Sequence, residues 1–364
     1  MFVFALSVLM LGTLACLCGQ LGNVIPLSGA AEEPTPTPMP PTEVPPTEEP
    51  QEVEEEVAPS PTVVTLETAV DVEQLNAFPG AEQVSLEMKV APSGTELAVF
   101  GFDGVIRIFD VETGNEIESL SGHNSIGAAL AYSPDGELLA SGGDDFRFFM
   151  WDLETGTERY SFVADTNPAD ITFTPDGSKV VYVGFNNSRV FVIDVDGNEV
   201  GRIGEHGVVL GSVDVSPDGQ FIASGNTRGN VVISKIDSLA TVTTLNEGTG
   251  SLWATKFSPD GAWLAAGSGS GDIWLWDATN WALERDWLAH GGGVQYLAWS
   301  PDSSVLVSVG TNGKVTLWNP ANGRELNSFQ HTDGTIWKVD FAPDGSFFAT
   351  LGGDDATVRI FGLP

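Results

Sequence analysis

The segment AALAYSPDGELLASGGDDFRFFMWD, residues 128–152, decides the reading of the whole chain. An apolar run, Ala128–Tyr132, meets Ser-Pro-Asp-Gly and is followed by a second run, Leu138–Ser141. Pro134 presets φ, Asp135 caps the reversal and Gly136 takes the positive φ that ends a tight turn. A Gly/Asp turn at 142–145 then leads to a third β-rich run, Phe146–Trp151. After Asp152, Thr155-Gly156 turns the chain into a fourth. Short runs of β-formers separated by turn residues predict antiparallel strands.

The turn phrase recurs as APSG, SPDG, TPDG, SPDG, SPDG, SPDS and APDG. Its prolines are Pro92, Pro134, Pro175, Pro217, Pro259, Pro301 and Pro343, spaced by 42, 41, 42, 42, 42 and 42 residues. A fixed period of this length marks a repeat architecture. Four strands per 42-residue unit make one propeller blade, so seven units predict an all-β, seven-bladed β-propeller with four antiparallel strands per blade. No stretch of useful length in the repeat region has a helical period.

Trp-Asp or a looser equivalent closes the third strand at Trp151-Asp152, Trp276-Asp277, Trp318-Asn319, Phe109-Asp110 and Ile193-Asp194. His123, His206, His290 and His331 precede first strands. These phrases, in phase with the turns, resemble the WD-repeat (WD40) family over about 290 residues. The resemblance implies that the last blade borrows its outer strand from the N-terminus. Residues 72–78 are in register with Arg324–Phe329: Leu75 and Leu326 each precede their turn proline by 17. Closure of this kind hides sheet edges. The expected organisation is a leader at 1–30, a Pro/Thr/Glu-rich linker at 31–71 and a propeller at 72–364.

Residues 2–18 carry no charge and are long enough for a signal-peptide core. Three readings stand side by side: a lipoprotein leader with Cys16 or Cys18 lipidated, an uncleaved anchor, and a signal cleaved near Ser28–Ala30. Each exports the protein, so the expected location is extracytoplasmic, at the cell surface or secreted. Ten of the 32 residues at 31–62 are Pro, which predicts an extended spacer of roughly 3 Å per residue. The chain carries 50 acids against 15 bases, and its first 88 residues hold no Lys or Arg. That charge opposes phosphate, so nucleic acid is excluded as a partner and membrane contact is confined to the N-terminal anchor. Cys16 and Cys18 are the only cysteines, which leaves the repeats without disulfides or thiolate metal ligands.

The resemblance assigns His123, Ser141, Asp145 and Trp151 to a buried structural tetrad rather than to a catalytic triad. Blade six keeps His290, Ser308 and Trp318 with Asn312 in place of Asp, and blade five has Ala266 and Ser270 at the Ser and Asp places. Asp194, Asp196, Asn198 and Glu205 partly match a calcium loop, but the glycine falls at step four. The equivalent place elsewhere is the turn between third and fourth strands. No nucleophile elbow, metalloprotease helix or phosphate loop occurs, so no catalytic residue, cofactor or metal is expected.

Six residues before the turn prolines stand Leu86, Ala128, Ala169, Gly211, Trp253, Gln295 and Trp337. The resemblance places this ring near one mouth of the channel. Trp253 and Trp337, joined by Tyr296 and Lys338, are the expected contacts for a protein or peptide partner. The function expected is a non-catalytic, monomeric interaction scaffold. The alternative is an extracellular propeller enzyme or ligand sensor with its site in the channel, which convergent carboxylates or histidines would favour.

Overall fold

The computed structural model describes residues 63–80, 85–204, 207–246 and 250–364. The leader and spacer, with Cys16 and Cys18, lie outside these residues, as do Glu205 and His206. Pro59–Pro364 forms one compact unit.

The unit contains seven four-stranded sheets, each antiparallel throughout. Six sheets use consecutive strands. The seventh runs Glu73–Pro79, Thr357–Gly362, Phe347–Gly352, Ile336–Phe341, so the first strand in sequence is the outer strand of the last blade. The first strands of the blades touch in closed cyclic order around the axis. They are Ser85–Val90, Gly127–Tyr132, Pro168–Phe173, Leu210–Val215, Leu252–Phe257, Val294–Trp299 and Ile336–Phe341. The result is a seven-bladed propeller, and the only helix among the described residues is the short Ala69–Asp71 turn.

The turn chemistry explains the reversal between first and second strands. In blade two the Ser133 hydroxyl donates to Asp135 Oδ1 at 2.5 Å, and its oxygen accepts the Leu138 N–H at 2.9 Å. Gly136 sits at φ 76°, where a side chain would strain the backbone. Ser303 takes that place in blade six at φ 62°, its hydroxyl oxygen accepting the Asp260 N–H of the preceding blade at 3.0 Å.

The core lies between blades. Phe100, Ile106 and Leu120 of blade one pack with Leu130, Leu139 and Phe149 of blade two. Each blade buries both faces against its neighbours, so the middle strands read as continuous apolar runs. Truncating a fully buried ring such as Phe100 to Ala is expected to cost about 3–5 kcal/mol.

The linker expectation is shortened here. Residues 63–71 are not spacer but a strap laid on the propeller. Val64 is 1 % exposed, and its N–H donates to Gly345 O at 2.8 Å. The Asn327 amide donates to the carbonyls of Ala69 and Val70, both at 3.1 Å, and to that of Val72 at 3.3 Å. The physical reason is composition: proline stops at Pro61, and Val64, Ala69 and Val72 supply apolar groups to bury.

Candidate functional site: two mouths and a charged channel

Every first strand carries a β-bulge at the same place. The ladder skips Leu86, Ala128, Ala169, Gly211, Trp253, Gln295 and Trp337 in turn. These are the seven ring positions singled out in the sequence. A bulge adds one residue to a strand and re-aims its side chain. Strand direction then sets the geometry. The bulges lie at one mouth of the channel, here the bulge mouth, and the Pro-Asp-Gly turns surround the other, the turn mouth.

Trp253 and Trp337 stand at the bulge mouth and are half-buried. The Trp253 indole rests on two glycines. A Cβ on Gly293 would meet its Cζ3 at 2.3 Å, and one on Gly269 its Cζ2 at 2.8 Å. Gly353 supports Trp337 in the same way, with Nε1 at 2.3 Å. Both rings lie against bare backbone with part of their surface open.

Tyr296 and Lys338 do not join them. They sit one step past the bulge, five residues before their turn prolines, and point into the channel. Tyr296 is 9 % exposed. Lys338 Nζ stands 3.9 Å from the Tyr296 ring centroid, within cation–π range, and 2.7 Å from Glu87 Oε2.

Beyond the bulge, residues five and three before each proline face the channel, and those four and two before it enter the core. The channel therefore displays Glu87, Asp170, Tyr296 and Lys338 at one level and Lys89, Asp214, Lys256 and Asp340 at the next. Small residues such as Ala131, Thr172 and Ala298 complete the second level and leave a cavity of about 340 Å³ toward the turn mouth. A larger open groove of about 630 Å³ runs along the outer wall beside the closing strand, but Glu112 is the only ionisable group lining it.

The channel carboxylates clasp neighbouring blades. Asp170 Oδ2 accepts the Val213 N–H at 2.8 Å, Asp214 Oδ2 the Phe257 N–H at 2.8 Å, and Asp340 Oδ2 the Val90 N–H at 2.9 Å. Each bond crosses to the next blade. The remaining oxygens are also engaged. Asp340 Oδ1 takes Lys89 Nζ at 2.8 Å, Asp214 Oδ1 lies 3.7 Å from Lys256 Nζ, and Asp170 Oδ1 accepts the Ile171 N–H at 3.1 Å. Glu87 Oε1 accepts the Met88 N–H at 3.1 Å.

Burial pushes the Glu87 carboxyl up to about 7, against the pull of Lys338. Burial also raises Asp214, partly offset by Lys256. For Lys256, burial favours the neutral amine, but Tyr296 and Asp214 outweigh it and hold the ammonium well above the usual range. For Lys89, burial is likewise outweighed, chiefly by Asp340 and Tyr296. Both ammonium groups therefore stay charged at neutral pH.

In blade two, His123 Nδ1 lies 3.0 Å from both oxygens of Asp145, and its Nε2 lies 2.9 Å from Ser141 Oγ. The Trp151 indole N–H donates to the same Oγ at 2.8 Å. Ser141 thus donates to His123 while accepting from Trp151, which leaves the ring neutral with its proton on Nδ1. Burial holds His123 below its usual range. Blade six repeats the arrangement: His290 reaches Asn312 Oδ1 at 3.2 Å and Ser308 Oγ at 2.7 Å, and Trp318 donates to Ser308 at 2.7 Å. In blade seven Arg359 meets His331 instead, and Thr350 is 3.5 Å away.

Asp194 caps its turn, accepting the Asn198 N–H at 2.8 Å and the Asn198 amide at 3.0 Å. Its oxygens are thereby occupied in the way Asp110 and Asp152 are occupied by Thr113 and Thr155. No group of three metal-ligating side chains occurs among the described residues.

The charged channel is what a count along the ring positions misses. The signal was present: Glu87, Lys89, Asp170, Asp214, Lys256, Lys338 and Asp340 are charged residues inside otherwise apolar first strands. The bulge shifts the parity by one and sends them to the axis.

A family model described as the IFT122 first beta-propeller matches residues 85–362. The Myceliophteria thermophila Cps50 (Swd1) beta-propeller domain, a crystal structure, is similar at a TM-score of 0.72 and 15% identity, covering 80% of this chain and 100% of that one. At that identity the likeness bears on the fold alone, a WD40-type propeller. No curated protein matches the chain.

Proposed function

The chain belongs to the family of the IFT122 first beta-propeller, and from that premise we propose that it is a non-catalytic interaction platform, exported from the cytoplasm, which takes a protein or peptide at its bulge mouth. Propeller scaffolds typically bind proteins or peptides, and a fold shared this widely assigns no chemistry by itself. The observation that carries the reading is the seating of Trp253 and Trp337 on bare glycine backbone, with part of each indole open to solvent. Aromatic anchors of this kind dominate binding energy at interfaces.

The occupied state of the polar groups supports a non-catalytic role. Ser141 is fully buried, and its oxygen serves His123 and Trp151 at once. Each channel carboxylate oxygen already faces a donor or cation of the protein. Glu87, with its raised pKa, has the acidity of a general acid or base, but it is 3 % exposed and tied to Lys338.

Export rests on the uncharged run at 2–18 and on Cys16 and Cys18. Radiolabelled fatty acid incorporation, lost when both cysteines become Ser, tests the lipidated form. For the platform, the full chain and a Trp253→Ala/Trp337→Ala variant are compared in capture from the native cell surface. A variant that folds normally and recovers the same proteins sinks the reading.

A further inference from the structure

The bookkeeping of donors and acceptors in the channel points to a second site, independent of the tryptophans and at the opposite mouth. Four carboxylates line the axis; seven of their eight oxygens accept from backbone N–H groups or lysines, and the eighth, Asp214 Oδ1, faces Lys256 Nζ at 3.7 Å. The acceptors are close to saturated. The donors are not. An ammonium carries three hydrogens. Lys89 spends one on Asp340, and 34 % of its side-chain surface is open. Lys256 stands 3.7 Å from Asp214, beyond hydrogen-bond distance, and turns one donor to Tyr296, whose ring centroid is 5.1 Å from Nζ, which leaves two.

The placement of these groups is also uneven. The chain has six lysines, and three of them lie in this channel although the protein is strongly acidic. Lys89 and Lys256 belong to blades one and five, and they line the same cavity of about 340 Å³ at the level where Ala131 and Ala298 leave room. A space of that size is at the lower end of small-ligand pockets. What enters must bring acceptors to unspent cationic donors, and it must be short and flat enough to lie between Ala131 and Ala298.

We infer that the turn-mouth half of the channel is a binding site for a small carboxylate, held by the ammonium groups of Lys89 and Lys256. The ligand carboxylate fills the donor valences that Asp340 and Asp214 leave open. The clasps stay intact, because each Asp keeps its backbone N–H. Charge-assisted contacts of this type are the strong ones among hydrogen bonds.

Isothermal titration of the full chain with succinate tests the site, with the neutral, similarly shaped succinamide as control. Saturable succinate binding at about 1 mM or tighter is expected, at least about tenfold stronger than for succinamide. Lys256→Met/Asp214→Asn removes an ion pair as a unit and keeps an acceptor for the Phe257 N–H; it should weaken succinate at least about tenfold. Lys89→Gln is the second variant should the first not fold. Trp253→Ala/Trp337→Ala should leave succinate binding unchanged, which separates this site from the rim. Absence of saturable binding, equal affinity for succinamide, or unchanged affinity in a folded lysine variant overturns the inference.

Discussion

Asp340 of blade seven accepts the Val90 N–H of blade one at 2.9 Å, across the seam where the last blade meets the first. Its other oxygen takes Lys89 at 2.8 Å. One step deeper, Lys338 of blade seven reaches back to Glu87 of blade one at 2.7 Å. Two ion pairs of opposite sense thus cross one seam. The first is partly open to the channel and partly screened, so its worth lies mainly in the backbone bond that Asp340 supplies.

Removing that bond should therefore cost more than removing the charge. Asp340→Ala leaves both the Val90 N–H and Lys89 without a partner and is expected to destabilise by about 2–3 kcal/mol. Asp340→Asn retains the acceptor and should cost about 1 kcal/mol. Urea unfolding of the two variants checks the order; equal losses would show that the clasp is purely electrostatic.

Stability against pH carries two opposite contributions. Burial holds His290 and His331 down to about 4, below the ordinary 6.5. Between those values the unfolded chain binds protons that the folded one does not, so the stability they confer at neutral pH is lost as pH falls from about 6.5 to 4. Glu87 works the other way. Its folded value of about 7 lies above the ordinary 4.5, so its neutral form favours the fold at low pH, and that benefit disappears as pH rises from 4.5 to 7. Glu87→Gln should remove this offset and make the acid-side loss steeper. Thermal midpoints of the wild type and Glu87→Gln between pH 4.5 and 7 test it; parallel curves are the contrary result.

The tetrad makes a graded prediction within one molecule. Ser141 and Ser308 each satisfy a buried histidine and a buried indole, whereas Ser224, at the same place in blade four, has only a 3.4 Å contact to Val232 O. Ser141→Ala and Ser308→Ala should each cost about 2–3 kcal/mol, and Ser224→Ala about 1 kcal/mol or less. Chemical denaturation gives the three values on one scale.

Gly293 is the floor under Trp253, where an added Cβ would have 2.3 Å of room. Gly293→Ala must displace the indole and is expected to cost about 1–3 kcal/mol. Combined with Trp253→Ala most of the penalty should vanish, because the remaining close neighbour of the added Cβ is Gly269 O at 3.1 Å. A double-mutant cycle reads that coupling directly, and additive losses would place the strain elsewhere.

Much of this architecture was legible from one residue type. Seven prolines at near-constant spacing fixed blade number, and the match of Leu75 to Leu326 identified the closing strand. Both are bulge residues of outer strands: the ladder skips Leu75 between Gln74 and Asn76, and Leu326 between Asn327 and Glu325. Side-chain facing was harder to read. One extra residue at Trp253 or Trp337 exchanges the two faces of a first strand, and nothing in composition announces a bulge. That is why Tyr296 and Lys338 were expected beside the tryptophans and stand in the channel instead. The strap at 63–71 was hidden by its neighbour, since a proline-rich stretch colours the residues after it. Its anchor, the Asn327 amide, is one side chain some 250 residues away.

The closing strand also sets the order of events when the chain is made. Phe78 pairs with Val358, 280 residues later. At about 5–20 residues per second, the ribosome needs roughly 15–55 s between them. For that interval the first strand exists without the partner that will seal the ring. Its composition suits the wait: along Glu73–Pro79 only Phe78 becomes buried, and Glu73, Gln74 and Asn76 offer little for another strand to capture. Six blades can stack as they emerge, but the circle is completed only once Thr357–Gly362 has been made, and a chain stopped short of Thr357 has no means of closing it.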